Sequence, residues 1–155
     1  EIKRMYGEKV RCLLVGPYDS NPSALKPEEL EPLVKAGIVE YYGEQSDVRP
    51  YIEQTSVYVL PSYHEGTPKT VLENMAMGRA IITTDAPGCR ETVVQGKNGY
   101  LVEVKNVCAV VDKMKYLIEH PKVVESMAVE SRKMAEELFD VNKVNDTILS
   151  TMGMR

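Results

Sequence analysis

The sequence predicts an α/β fold: a mostly parallel, Rossmann-like sheet with helices on both faces and a helical C-terminal tail. Three observations point there. Short runs rich in Val, Ile and Leu alternate with segments of helical period. The joining loops are short and punctuated by Gly and Pro. Beyond Val107 the strand-like runs cease and only helical pattern remains. Alternation of this kind implies right-handed β-α-β units and a sheet covered on both sides. At 155 residues the chain suits one domain, residues 1–155.

The elements follow in order. Residues 1–6 read as the tail of a helix cut off at its front. Residues 10–15 (Val-Arg-Cys-Leu-Leu-Val) read as a buried strand, with Cys12 as core filler, stopped by Gly16-Pro17. Residues 26–36 predict a helix with Pro27 near its start and Gly37 past its end. A short strand at 38–42 is closed by Gly43 and the polar loop Glu44-Gln45-Ser46-Asp47. A short helix at 48–54 precedes the strand Val57–Leu60.

Residues 68–77 form the best-marked helix. Thr67 is placed to cap it, Pro68 occupies the first position, and Gly78 ends it. Val71, Leu72, Met75 and Ala76 make its apolar stripe. Then come a strand at 80–83, the turn Ala86-Pro87-Gly88, a helical piece at 91–94, a tight turn at 96–99 and a strand at 100–102. Helices at 107–119, 121–139 and 141–151 complete the chain.

Composition excludes several function classes. With 19 Lys and Arg against 23 Asp and Glu, the net charge of −4 argues against a broad nucleic-acid surface. An apolar fraction of 43% and a charged fraction of 27% fit a globular chain rather than a disordered one. Cys12, Cys89 and Cys108 are scattered and odd in number, which suits reduced thiols in a cytoplasmic protein. No secretory leader is expected, and no apolar run approaches the roughly 18–20 residues of a membrane span. Peripheral attachment through another domain stays open. His64 and His120 are the only histidines and lie far apart, so no metal is expected. Dinucleotide, Walker and nucleophile-elbow signatures are absent from the sequence.

Ligands of parallel sheets gather beyond the carboxyl ends of strands. That rule aligns Gly16-Pro17, residues 43–47, 62–68 and 85–88 along one functional edge. Glu65 and Glu73, eight positions apart, bracket a predicted helix start, where unpaired N–H groups and the dipole favour an anion. Gly66, Thr67, Lys69 and Thr70 offer backbone donors; Thr67 and Thr70 add hydroxyls. Gly66 leaves room for a phosphate, and Lys69 or His64 could supply positive charge. Glu73 lies five residues into the helix, roughly 7–8 Å along its axis, leaning back towards the start. It could accept from two neighbouring hydroxyls, as a ribose presents them. The plain alternative is a capped surface helix with a solvent-facing Glu73. A paired-carboxylate hydrolase is a third reading, but an anion site between the two groups suits holding two ends of one ligand better. Asp85-Ala86-Pro87-Gly88 is either a simple strand-ending turn or a wall of the same pocket.

Over nearly its whole length, and most densely from Ser56 to Val102, the chain resembles a known family. The residues carrying this are the E-x7-E run His64-Glu65-Gly66-Thr67-Pro68-Lys69-Thr70-Val71-Leu72-Glu73, then Met-Gly-Arg-Ala-Ile-Ile-Thr-Thr-Asp from Met77, then Pro-Gly-Cys-Arg-Glu from Pro87. They resemble the C-terminal donor-binding domain of family 4 retaining GT-B glycosyltransferases, in the capsular-polysaccharide and lipid-linked oligosaccharide style. The run from Gly16 (Gly-Pro-Tyr-Asp-Ser-Asn-Pro-Ser-Ala) fits the same style.

The resemblance implies one half of a GT-B fold lacking its first strand, and a nucleotide-sugar donor, UDP-linked hexoses or N-acetylhexosamines being favoured. Glu65 would contact the sugar near the reacting centre and Glu73 the ribose. The segment from Gly66 through Pro68 to Thr70 would meet the sugar and diphosphate. Ser46, Asp47 and Val48 would lie against the base. Transfer would retain anomeric configuration, without a metal, to a glycan or polyprenyl-linked acceptor. The family's diphosphate-binding Arg and Lys, and its acceptor domain, would precede this chain, so the chain alone is expected to be inactive. Competing expectations are a GT-B-shaped sugar-nucleotide epimerase and a non-catalytic interaction module.

Overall fold

The computed structural model describes residues 1–21 and 24–153. Pro22 and Ser23, within the run that begins at Gly16, lie outside the described residues, as do Met154 and Arg155. The chain forms two compact units, Glu1–Thr55 and Ser56–Arg155.

The first unit contains helix α1 (Ile2–Tyr6), strand β1 (Leu13–Leu14), helix α2 (Pro27–Lys35), strand β2 (Glu40–Tyr41) and helix α3 (Arg49–Glu53). β1 and β2 are parallel, with Leu13 opposite Glu40 and Leu14 opposite Tyr41. Pro27 opens α2, where its missing N–H costs nothing, and the Glu29 carboxylate accepts from the Lys26 N–H at 2.9 Å. Gly37, at φ 66°, turns the chain out of the helix.

Both strands are shorter than the sequence pattern predicts, and residues 10–15 are not a buried strand. Cys12 is half-buried and Leu14 is 37% exposed. The reason is the small core. Among the described residues, the buried apolar side chains of this unit are Ile2, Leu30 and Ile52. A unit of this size buries too little to enclose a strand on both faces.

Polar pairing supplements that core. Arg11 grips the Glu40 carboxylate with two bonds, 2.8 and 2.7 Å, and the Tyr42 hydroxyl donates to it at 2.9 Å. The Arg11 hydrogen bonds, then that of Tyr42, pull the Glu40 pKa down to about 2 from an ordinary 4.5. A depressed carboxylate contributes stability that is present above pH 4.5 and lost as pH falls towards 2. Amide protection factors in the first unit, taken relative to intrinsic exchange at each pH, should therefore fall across that window, and a Glu40→Gln variant should flatten the change. Since the pair is exposed, the effect should shrink with added salt.

The second unit holds β3 (Val57–Leu60), α4 (Lys69–Ala76), β4 (Ala80–Thr84), β5 (Gly99–Val102), α5 (Val107–Glu119), α6 (Pro121–Leu138) and α7 (Val141–Thr151). The sheet order is β3-β4-β5, all parallel. Central β4 is wholly buried. Alternation along it separates two cores. Ile81 packs with Val71 and Met75 of α4 and Met134 and Ala135 of α6. Ala80 and Ile82 pack on the opposite face with Val102, Leu117 of α5 and Met127 of α6.

The two ends of α6 thus serve different faces. Between them, the Ser131 hydroxyl donates to the Asn98 carbonyl at 3.3 Å, just ahead of β5. A Cβ on Gly78, just ahead of β4, would stand 3.3 Å from the Ala128 carbonyl oxygen. α6 therefore passes under the amino-terminal edge of the sheet. Buried Asn98 ties this edge further, donating to the Thr92 carbonyl at 3.0 Å and accepting from the Val94 N–H at 2.8 Å.

Candidate functional site

The opposite, carboxyl edge carries the E-x7-E segment. β3 ends at Leu60, and the loop that follows is fastened to the end of β4 by side chains. The Thr83 hydroxyl donates to the Leu60 carbonyl at 2.8 Å, and the Thr84 hydroxyl donates to the Ser62 carbonyl. The Ser62 hydroxyl donates to Glu65 Oε1 at 2.7 Å, fixing the carboxylate, and the Glu65 N–H donates to the Pro87 carbonyl at 3.1 Å. Gly88, at φ 83°, lies so close that a Cβ there would fall 1.8 Å from the Gly66 carbonyl oxygen and 2.2 Å from that of Glu65. The turn after β4 is thus a bed for the Glu65 loop. Asp85 takes a different part, pairing with Arg90 at 2.9 Å to brace that turn.

Helix α4 begins differently from the sequence expectation. Thr67 makes no capping bond; Pro68 is the N-cap and is itself buried. Proline cannot donate, and its carbonyl accepts the N–H groups of Val71 and Leu72. Among the described residues, the Lys69 and Thr70 N–H groups take no partner, which keeps two donors at the helix start for an anion. His64, Gly66, Thr67, Lys69 and Thr70 are all exposed there. A Cβ on Gly66 would meet nothing within 4 Å, so that approach is open.

Glu73 is exposed on the second turn of α4. Its link to Glu65 runs through Tyr58 on β3. Burial pushes the Tyr58 phenol up, the charges of Glu65 and Glu73 push the same way, and a hydrogen bond with the Thr70 hydroxyl pulls back. The phenol of β3 thus lies within electrostatic reach of both carboxylates. Glu73 also lines a cleft of about 320 Å³ with Leu72, Ala76, Arg132 and Phe139. Arg132 bonds Glu136 at 2.6 Å and the Ala76 carbonyl, and so closes the end of α4.

The other predicted residues belong to the first unit, at the carboxyl ends of its two strands. Gly16 follows β1 at φ 144°, with its N–H on the Gly43 carbonyl at 2.8 Å and its carbonyl on the Tyr41 hydroxyl at 2.9 Å. Ser46 is exposed and Val48 half-buried after β2. Asp47 is engaged locally: its carboxylate accepts from the Arg49 side chain at 2.9 Å and the Arg49 N–H at 3.0 Å. Those bonds, the side-chain one first, hold its pKa below the usual range.

Among the described residues, no three His, Cys, Asp or Glu side chains gather in a way that could hold a metal. No described helix is long and apolar enough to cross a membrane. The sequence reading missed Thr83 and Thr84 as builders of the site, and set Ser62 and Gly88 on its edge without assigning them these contacts. A Thr-Thr pair ending a buried strand was the available signal, since such hydroxyls need acceptors.

The parallel sheet with its covering helices has the Rossmann-like arrangement of GT-B glycosyltransferase structures. Residues 1–120 match the family model for Glycosyl transferases group 1, and the chain belongs to that family. It is 36% identical over 123 residues to N,N'-diacetylbacillosaminyl-diphospho-undecaprenol alpha-1,3-N-acetylgalactosaminyltransferase of Campylobacter jejuni, covering 79% of this chain and 32% of that protein. It is 28% identical over 133 residues to the capsular polysaccharide biosynthesis glycosyltransferase CapM of Staphylococcus aureus, covering 86% of this chain and 35% of that one. The fold matches Anabaena Alr3699/HepE, solved with UDP, at a TM-score of 0.83 and 19% identity, over 97% of this chain and 43% of that one. The chain spans about a third of the length of these curated relatives.

Proposed function

We propose that this chain holds the donor of a retaining glycosyltransferase, a UDP-linked hexose or N-acetylhexosamine, for transfer to a glycan or lipid-linked acceptor. The observation that carries the reading is Glu65, fixed by Ser62 beside the open start of α4 with Glu73 one turn further on. Glu73 accepts from the ribose hydroxyls. The Lys69 and Thr70 N–H groups meet the diphosphate, and the helix dipole stabilises its charge as it leaves. Glu65 orients the sugar at the reacting carbon. Within the first unit, Asp47 shapes the loop of Ser46 and Val48 through its bonds to Arg49. No metal is required in this scheme, and the location is cytoplasmic. A UDP-bound structural neighbour and polysaccharide-synthesis relatives support the reading. Since the chain spans a third of its relatives' length, it is expected to bind donor without transferring sugar by itself.

Calorimetric titration with UDP, GDP and ADP tests this. UDP should bind best, and Glu73→Ala should weaken it by roughly tenfold or more, the loss of hydrogen bonds to a charged acceptor. Equal binding of all three nucleotides, or an unaffected Glu73→Ala variant, would overturn the assignment.

A further inference from the structure

Beside the Glu65 loop stands an aromatic ring that the scheme above does not use. Tyr63 is 67% exposed, yet the chain on either side of it is pinned: the Ser62 carbonyl to Thr84, the Ser62 hydroxyl to Glu65, and the Glu65 N–H to Pro87. A ring on so fixed a segment is held in place without being buried. Lys105, from the loop after β5, sets its Nζ 5.6 Å from the centre of that ring, within cation–π range. Its backbone is at φ 62°, and among the described residues it is the one non-glycine at positive φ. Strain of this kind in an L-residue persists where surrounding structure imposes it, often at ligand sites.

The contact also spans a distance. β3 and β5 are separated by β4, so the pair bridges about 10 Å, two strand spacings, across the carboxyl edge of the sheet. In the chain, Glu65 sits between Tyr63 on one side and α4 with Glu73 on the other.

We propose that Tyr63 and Lys105 are specificity-determining residues for the transferred sugar, gripping the side of it that faces away from the nucleotide. This rests on the donor reading above. With the ribose at Glu73 and the reacting carbon at Glu65, the far side of the pyranose comes to the ring and the ammonium. The apolar C–H face of the sugar stacks on the tyrosine. The ammonium, with three donors and no acceptor, takes a hydroxyl, an acetamido carbonyl or a carboxylate on the far carbons. The substrate class is a hexopyranose with an unobstructed C–H face and an oxygen acceptor there.

The test compares binding of UDP with that of UDP-glucose, UDP-N-acetylglucosamine and UDP-glucuronate, in the parent chain and in Tyr63→Leu, Tyr63→Phe and Lys105→Gln variants. The readout is the gain in affinity from adding the preferred sugar to UDP. Tyr63→Leu should cut that gain roughly three- to tenfold, the range of an aromatic contact. Lys105→Gln should cut it about threefold, and Tyr63→Phe, which keeps the ring, should preserve it. Affinity for UDP itself should not move. An unchanged gain in Tyr63→Leu or Lys105→Gln would overturn the proposal, as would an equal loss for UDP and its sugars, which signals general damage. Failure of UDP to bind the parent chain would instead remove the donor reading, and this one with it.

Discussion

Replacing Gly99 by alanine is expected to lower the stability of the second unit by about 3 kcal/mol or more, because the methyl has nowhere to go. Gly99 opens β5 opposite Ile81 of β4. A Cβ there would stand 1.9 Å from the Ile81 carbonyl oxygen and 2.8 Å from its carbonyl carbon. Both atoms are backbone of the central, wholly buried strand, so no rotamer change relieves the clash. The strands must separate at the point where the Ile81 N–H donates to the Asn98 carbonyl at 3.1 Å. A thermal melt should show the midpoint falling by roughly 10 °C. A midpoint within 2 °C of the parent would mean that β5 can slide, and that its register is not fixed by this contact.

Gly88→Ala should damage fold and donor binding together. Two costs combine: a left-handed backbone at φ 83°, worth about 1–2 kcal/mol for an L-residue, and a methyl driven into the carbonyls of Glu65 and Gly66. The cheapest escape is to lift the Glu65 loop off the turn. That breaks the bond from the Glu65 N–H to Pro87 and moves the carboxylate. Stability should fall by roughly 3 kcal/mol, and affinity for a UDP-sugar by more than tenfold at a temperature where the variant is still folded. Gly66→Ala is the matched control. Its Cβ meets no protein atom within 4 Å, so the melt should be unchanged, and any loss of affinity reports a ligand close to that backbone. Full donor affinity in folded Gly88→Ala would show that the loop position does not matter for binding.

Local features were readable in the sequence; those depending on distant contacts were not. Strand β3 and helix α5 fall at their predicted residues, since a short apolar run and a long 3.6-residue stripe are local signals. The spacing of Glu65 and Glu73 around a helix start is likewise local. By contrast, the segment with Gly88 reads in sequence as either a simple turn or a pocket wall, with no contact assigned to the glycine. Its purpose shows only once the loop after β3 lies on the turn after β4. Thr67 looked like a cap because Ser and Thr often are, yet Pro68 took the N-cap position and was buried. The run at residues 10–15 read as a buried strand from composition alone, but burial depends on what neighbouring elements cover. Lys105 and Tyr63 are 42 positions apart by number, and no pattern links them.

The route of α6 has a bearing on how this domain can change. By passing beneath the amino-terminal edge and supplying Met127 to one face and Met134 to the other, the helix clamps the two layers at the end remote from the ligand. The loops at the ligand end are thereby relieved of fastening the layers together. Surface side chains such as His64, Lys69 and Lys105 can be exchanged with little penalty to the scaffold, while Gly88 and Thr84, which hold the loops down, cannot. On the donor reading proposed above, substitutions confined to one rim are expected to re-aim such a framework at a different sugar. Libraries for altering donor choice therefore belong at Tyr63, His64 and Lys105, with the hydroxyls and glycine beneath them left untouched.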